Sequence, residues 1–355
     1  MSSRIQQLRR QFSRLSIDAF LVMFPPHVRY LTGFSGSNAL CFISDDQQVL
    51  VTDGRYIAQV RKEVRGWRIY VTQDALFEEA RAQRLFRAGM RIGIDGNTFS
   101  LSQYRLLKKS FPKVKFLPKV DTLERLTAVK DEQEIALIAR AAAISDRVFR
   151  EILGILRPGL KELDVAAELT YRQKTHGAEA DAFEAIVASG ERGAMPHGRA
   201  SVKKLKRGEL ITLDFGCIVG GYHSDLTRTV ALGAPPAEAR KIYAIVLEAQ
   251  QAAIARASNG VKAKEVDAAA RTIIRNHGYE KFFRHSLGHG IGLQIHEQPR
   301  ISMLSKATLE PGNVVTIEPG IYLPGFGGVR IEDDIVIRKG AAEILNHSSK
   351  DLLIL

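Results

Sequence analysis

The chain has 355 residues, 45% hydrophobic and 25% charged, the balance of a water-soluble globular protein long enough for two cores. Its 51 Lys and Arg against 39 Asp and Glu leave a formal charge of +12, yet the basic residues are scattered in clusters (61–68, 108–115, 203–207) without a basic stripe or an aromatic RNA-binding signature, which argues against a nucleic-acid partner. No apolar run approaches membrane-spanning length and the N-terminus lacks the apolar core of a secretion signal, so a cytoplasmic protein with no membrane partner is expected.

Residues 1–15 space Ile5, Leu8, Phe12 and Leu15 as one face of an amphipathic helix. Six strand-sized apolar runs follow, AFLVMF, ALCFI, QVLVT, WRIYV, RIGID and VKFLP, interleaved with helical patterns. They describe a small α/β domain over residues 1–122. Alanine then becomes common and a long helical pattern begins at Asp131, so a second domain is expected over residues 123–355. The two cysteines, Cys41 and Cys217, lie far apart with no paired spacing and suggest neither a disulfide framework nor a thiolate metal site.

The second domain repeats itself. GLKELDVAAELTYRQKTHGAE (159–179) lies on GVKAKEVDAAARTIIRNHGYE (260–280) without a gap, matching Gly159 with Gly260, Lys161 with Lys262, His176 with His277, Gly177 with Gly278 and Glu179 with Glu280. GELITLDFG (208–216) matches GNVVTIEPG (312–320), placing Asp214 on Glu318. Each half therefore reads as helix, helix, then strand pairs carrying an acid. His176 and His277 precede glycine where the helical patterns end, so they are expected to close helices and not to act as ligands.

Strand alternation puts Leu210, Thr212 and Asp214 on one face and Ile211, Leu213 and Phe215 on the other. The second copy repeats this with Val314, Thr316 and Glu318 against Val315 and Ile317. After the turn at Gly220 and Gly221 the return strand HSDLTRTVAL carries Asp225; after PGFGG the return strand VRIEDDIVI carries Glu332, with Arg330 two residues earlier on the same face. One acid on a strand is ordinarily solvated. Four carboxylates brought together by duplicated hairpins repel one another unless a multivalent cation neutralises them.

Residues 283–297, FRHSLGHGIGLQIHE, hold three of the nine histidines, His285, His289 and His296, with glycines at 288, 290 and 292. Glycine packs nothing and costs backbone entropy, so a plain core strand or helix gains nothing from this pattern. Four carboxylates with one imidazole form an oxygen-rich donor set suited to two ions of the manganese, cobalt, iron or zinc type. The glycines are expected to let the backbone approach such ions closely, leaving His285 and His296 for roles around them.

LDFG with SDLTRT, HSLGHGIG, TIEPG and VRIEDD resemble, in order and spacing, the motifs of the metallopeptidases of the creatinase and methionine aminopeptidase fold, the pita-bread fold. YLTGFSGSNA and VTDGRY resemble the first domain of its proline-specific branch, the Xaa-Pro aminopeptidases and Xaa-Pro dipeptidases (prolidases), so the likeness covers the whole chain. The resemblance implies an α+β chain in which a pita-bread catalytic domain with pseudo-twofold duplication follows a smaller creatinase-type α/β domain. It implies that Asp214, Asp225, His289, Glu318 and Glu332 ligate two divalent metal ions, with Asp225 and Glu332 bridging them. Manganese is the family's usual ion, and cobalt, zinc or iron are alternatives. By the same resemblance His197, in AMPHGRAS, and His296 hydrogen-bond substrate and the developing oxyanion, and Glu318 carries the nucleophile's proton. His285 and Arg330 line the proline side, where Arg330 could grip a carboxylate or instead hold Glu332. Small peptides with proline in second position are the implied partners, and a homodimer the implied assembly.

Competing motifs fail on their own terms. DFG at 214–216 comes without HRD, GHGIG is followed by Leu293 where a dinucleotide fingerprint has glycine, and GFSGS has no glycine after Ser37. A non-catalytic binding protein on this fold, or creatinase itself, would lack the metal ligands present here. Between the two peptidase types, the small uncharged PGFGG turn and the absence of a further basic residue beside the site motifs favour an aminopeptidase acting on longer peptides, because a dipeptide's buried carboxylate needs a cation.

Overall fold

All six apolar runs of the N-terminal segment become strands of one sheet: β1 (Ala19–Val22), β2 (Ala39–Ser44), β3 (Gln48–Asp53), β4 (Arg68–Thr72), β5 (Arg91–Asp95) and β6 (Lys115–Lys119). The computed structural model describes residues 2–355 and gives the sheet the order β4-β3-β2-β1-β5-β6, with β1, β2 and β3 antiparallel neighbours and the remaining pairs parallel. Helices α1 (Ser2–Arg9), α2 (Phe12–Leu15), α3 (Pro25–Thr32), α4 (Ile57–Glu63), α5 (Leu76–Ala82), α6 (Leu101–Ser110) and α7 (Glu124–Thr127) complete the unit. The single N-terminal helix expected from sequence is broken in two between Arg9 and Phe12, yet Ile5, Leu8 and Phe12 still bury the same stripe.

This first unit closes at Thr127, and a second spans Ala128–Leu355. The division falls later than residue 122 because α7 belongs to the first unit: Leu123 is fully buried and the Tyr30 hydroxyl donates to the Leu126 carbonyl at 3.1 Å.

In the second unit α8 (Glu132–Leu153) and α9 (Glu162–Thr175) have counterparts in α10 (Ala237–Arg256) and α11 (Ala263–Asn276). Asp131 and Glu134 close a capping box at the start of α8, which fixes where the helix begins. Helices α9 and α11 start and stop at matching positions of the sequence repeat, and His176 and His277 cap their C-termini as expected. The first half contributes β7 (Ala180–Asp181), β8 (Ile186–Ser189), β9 (Glu209–Phe215), β10 (Cys217–Val219), β11 (Tyr222–His223) and β12 (Leu226–Leu232). The second contributes β13 (Gly288–Gly290), β14 (Glu297–Ile301), β15 (Val314–Ile317), β16 (Gly320–Leu323), β17 (Gly327–Arg330), β18 (Asp333–Val336) and β19 (Glu343–Ile344). Strand β9 lies between β12 and β8, and β15 lies between β13 and β18, so the two matched acid-bearing segments occupy equivalent places in their sheets.

The alternation read from sequence holds. Ile211, Leu213 and Phe215 pack into one apolar cluster with Val148, Phe149 and Ile152 of α8, while Val315 and Ile317 pack with Ile242 and Val246 of α10. Each such side chain contributes about 1.5–3 kcal/mol on burial, so the helices clamp the backs of both strands and leave their other faces to the polar groups. Among the described residues no helix is long and apolar enough to cross a membrane.

A buried arginine ties the two hairpins together. Arg228 of β12 is 1% exposed and donates to Asp333 Oδ1 at 2.7 Å, to the Ser348 and Ser349 carbonyls, and to the Glu332 carbonyl. Asp333 also accepts from Gln250 and Lys350. Although burial opposes its ionisation, Arg228 and Lys350 hold its carboxyl below the ordinary range. Arg228→Met should leave Asp333 with Lys350 as its remaining cation, take the donor from the buried Glu332 and Ser348 carbonyls, and lower the unfolding free energy of this unit by about 1–3 kcal/mol. Urea unfolding checks this, and a loss under about 1 kcal/mol would show that the tie is not structural.

Candidate metal centre

Asp214 sits within β9, but the other three carboxylates lie at breaks in the strands: Asp225 just before β12, Glu318 just after β15 and Glu332 between β17 and β18. The sequence reading placed them inside continuous strands. At two of these breaks the main-chain N–H finds a partner outside its own hairpin: that of Asp225 is donated to the Asp334 side chain, at Oδ2, 2.9 Å away, and that of Glu332 crosses to the Thr227 main-chain carbonyl of the other hairpin at 3.1 Å.

These breaks bring the expected ligands together. Donor atoms of Asp225, His289 and Glu332 all lie within 4.8 Å of one another. His289 Nε2 is 3.8 Å from Asp225 Oδ2 and 3.4 Å from Glu318 Oε1. Its Nδ1 lies 3.1 Å from the Gly290 carbonyl, so that nitrogen carries the proton and Nε2 presents a lone pair to the carboxylates. The glycines flanking His289 serve the sheet, contrary to the expectation that they admit an ion: a Cβ on Gly288 would lie 1.9 Å from the Thr316 carbonyl oxygen, and one on Gly290 would lie 2.2 Å from that of Gln298. Strand β13 can pass this close to its neighbours only without side chains there.

Burial and mutual repulsion dominate the electrostatics. Burial, then Glu332 and Asp214, raise the Asp225 carboxyl well above its ordinary range; burial, then Glu318 and Asp214, do the same to Glu332. Burial pushes Glu318 up to about 8 against the pull of Arg330. His289 is driven down to about 4 by burial and by the neighbouring His296. Buried oxygens Asp214 Oδ1, Asp225 Oδ1, Glu332 Oε1 and Asp334 Oδ1 have no hydrogen-bond partner. Several orphaned anionic oxygens beside an unprotonated imidazole nitrogen fit divalent cations, which would satisfy the oxygens and relieve the repulsion together.

The centre opens on a cavity of about 580 Å³, whose lining includes all five expected ligands with His197, His285, His296 and Arg330. His197 and His296 are exposed to it, and His296 stands edge-on to His289 with ring centroids 4.3 Å apart. His285 and Arg330 differ from expectation. Both His285 nitrogens are engaged, Nδ1 with the Ser286 carbonyl at 2.8 Å and Nε2 with the Tyr322 hydroxyl at 2.9 Å, and burial drives this ring down to about 3. Arg330 donates to Thr227 Oγ1, the Pro196 carbonyl, the Tyr322 hydroxyl and Asp214 Oδ2. Four of its five N–H groups are thereby used, too many for a bidentate grip on a substrate carboxylate. Nor does it hold Glu332 directly, since Thr227 Oγ1 stands between them and donates to Glu332 Oε2.

Sequence reasoning missed Tyr322, Thr227, Asp334 and two cations. Tyr322 completes a relay from Arg330 to His285, and Asp334 positions the Asp225 backbone. Asp334, two residues beyond Glu332, was visible in the acidic run EDD; Tyr322 carried no signal. Arg199 and Arg300 line the cavity, so a basic residue does stand near the site, contrary to the sequence reading.

Orphaned carboxylates and a neutral histidine, converging from duplicated hairpins onto one cavity, define a metal-dependent hydrolase site. The chain belongs to metallopeptidase family M24, which matches residues 136–339, and residues 4–129 match the creatinase/prolidase N-terminal domain. A solved Xaa-Pro dipeptidase from Bacillus anthracis is 39% identical and superposes with a TM-score of 0.96, covering 100% of this chain and 99% of that one. A solved X-Pro aminopeptidase from Thermotoga maritima MSB8 is 38% identical with a TM-score of 0.89, covering 97% and 100%. An Xaa-Pro dipeptidase of Pyrococcus furiosus is 38% identical over 355 residues, 99% of this chain and 100% of that protein. Family and architecture agree with the pita-bread fold and creatinase-type first domain expected from the motifs.

The shifted groups make stability of the metal-free protein depend on pH. Folded Glu318 keeps its proton up to about 8, whereas the unfolded chain releases it near 4.5, so this contribution falls as pH rises through that interval. The lowered histidines act oppositely, but their gain is complete above the ordinary value of 6.5. Between pH 6.5 and 8 only the carboxylate trend remains. The Tm of metal-stripped protein should therefore fall across this range, and added divalent metal should raise Tm more at pH 8 than at pH 6.5. A scanning-calorimetry series showing no fall would contradict the assignment.

Proposed function

We propose that this protein is an exopeptidase that hydrolyses the bond between an N-terminal residue and a proline in second position, with two divalent cations held by Asp214, Asp225, His289, Glu318 and Glu332. The observation that carries the reading is the set of unpartnered buried carboxylate oxygens on one cavity wall, beside His289 Nε2. The hard, oxygen-rich donor set favours manganese as the resident ion. When bound, the cations supply Lewis acidity to the scissile carbonyl and lower the pKa of the attacking water.

The protein's own residues do the rest. Glu318, partly open to the cavity, takes the nucleophile's proton and later returns it to the leaving nitrogen. His197 and His296 donate to the carbonyl oxygen as it gains charge. Burial, and then the Arg330 charge, keep His285 neutral, the relay through Tyr322 fixes its ring, and Phe183, Ile186 and Ile295 give the cavity apolar wall against which a proline ring packs.

Two substitutions separate these roles. Glu332→Ala should abolish turnover and lower bound metal, with the fold retained. His296→Ala should keep its metal and lose about 10²–10³ in kcat, the loss typical of removing one oxyanion donor. Metal analysis beside steady-state kinetics reads both, and full metal occupancy in Glu332→Ala, or metal loss in His296→Ala, would reverse the assignments.

A second reading, the strict Xaa-Pro dipeptidase, is favoured by Arg300 and Arg199. Both reach the cavity, and neither is bound into the Arg330 relay; Arg199 has only an exposed partner, Glu184, at 3.1 Å. A dipeptide's C-terminal carboxylate would find a cation there. Comparison of kcat/KM for Xaa-Pro dipeptides and Xaa-Pro-Yaa tripeptides, with manganese supplied, decides between them. If Arg300 recognises the carboxylate, Arg300→Ala should raise KM for dipeptides about tenfold or more and leave tripeptides nearly unchanged. Equal cleavage of Xaa-Ala peptides would overturn the proline reading.

A further inference from the structure

The first unit holds a separate convergence of donors that the peptidase reaction does not use. His27 lies in the first turn of α3, Asp95 ends β5, and Glu124 begins α7. Each offers a ligand atom, and the three atoms lie within 4.8 Å of one another. His27 and Asp95 are each 1% exposed, and Glu124 is half-buried. His27 Nδ1 is 2.6 Å from Asp95 Oδ2.

Their remaining atoms are left unanswered. His27 Nε2 and Glu124 Oε2 are buried with no hydrogen-bond partner, and so is Thr98 Oγ1 in the turn that follows β5. Such atoms are uncommon in proteins, and two of these three belong to the trio itself. The trio is also held in place. The Asn97 amide donates to Glu124 Oε1 at 2.8 Å, which orients that carboxylate, and the Phe24 ring meets the His27 imidazole edge-on at 5.1 Å. Among the described residues no lysine or arginine pairs with Asp95 or Glu124, so two carboxylates have only one imidazole to offset them.

We propose that His27, Asp95 and Glu124 bind one divalent transition-metal ion of the zinc type. One imidazole nitrogen and two carboxylate oxygens suit an ion of borderline softness, and a dication cancels the two negative charges. Bonds of about 2.0–2.2 Å around a single ion place ligand atoms roughly 3–4 Å apart, a range bracketed here by the 2.6 Å between His27 Nδ1 and Asp95 Oδ2 and the 4.8 Å within which all three ligand atoms fall. Three protein ligands leave a position for water. The ion would pin α3 and α7 to the end of β5 and so act as a structural staple in the first unit, independent of the peptidase centre.

The test uses the full-length chain, stripped of metal and titrated with zinc, with zinc per chain and Tm as readouts. It is run on Glu332→Ala and on the double variant Glu332→Ala/Glu124→Gln, so that losses at the peptidase centre are common to both. The Glu332→Ala protein should take up one more zinc than the double variant, or bind that zinc at least about tenfold more tightly, and zinc should raise its Tm further. His27→Gln in place of Glu124→Gln should do the same; should it fail to fold, the half-buried, isosteric Glu124→Gln decides. Identical zinc content, affinity and Tm response in single and double variants would overturn the proposal and leave the pocket to a buried water. The wild type compared with Glu332→Ala reports separately on the peptidase ligands, so the two readings fail independently.

Discussion

Repulsion among carboxylates that are already desolvated is the constraint on which the second unit is built. Asp225 and Glu332 are at most 5% exposed, and each is raised by burial first and by its acidic neighbours second. Removing a charge from water costs several kcal/mol even after relaxation, so no local interaction would gather these groups unaided. The gathering is enforced from behind by helices packed on β9 and β15, and from the sides by Arg330 on Asp214, Thr227 on Glu332 and Asp334 on the Asp225 backbone. Each tie leaves at least one carboxylate oxygen free. A rigid apolar scaffold thus supplies the energy that holds a polar centre in readiness for cations.

The duplication explains how so few elements achieve this. Two copies of one hairpin plan face each other, but they are not equivalent in chemistry. Asp214 acts from inside its strand, while its counterpart Glu318 stands one residue beyond β15 and has a side chain one methylene longer. Only the second half adds an imidazole, on a strand so crowded that its neighbouring positions exclude every side chain. The copies share a scaffold and differ in the donors they carry.

Much of this was legible in sequence because it is written locally. Strand-sized apolar runs foretold all six strands of the first unit, and the ungapped repeat foretold helices α9 and α11. The five residues we propose as ligands were legible through their motifs. What stayed hidden depends on distant parts of the chain meeting. Nothing in a period-two pattern tells that the ladder pauses at Asp225 and Glu332, since the pause arises when Asp334 and Thr227 capture main-chain N–H groups from afar. The commitment of Arg330 was hidden likewise, because its partner Asp214 lies 116 residues away. Arg300 falls outside every motif, and Arg199, two residues after His197 in AMPHGRAS, shows its place only once the cavity has formed. The break in the N-terminal helix was equally invisible, since Ile5, Leu8 and Phe12 keep their helical stripe across it.

The ties across the hairpins also set a timetable for the protein's birth. Thr227 and Glu332, which meet in the centre, are 105 residues apart, and Arg228 is completed only by Ser348 and Ser349, still further along. At about 5–20 residues per second, a ribosome needs roughly 5–20 s to travel from the first member of this group to Glu332. Throughout that interval Asp214 and Asp225 exist without Glu318 and Glu332, the acids that will crowd them. The first unit, whose sheet is closed by residues before Thr127, has no such wait. A growing chain therefore holds every residue of the first unit's sheet for many seconds before it possesses the acids that complete the centre.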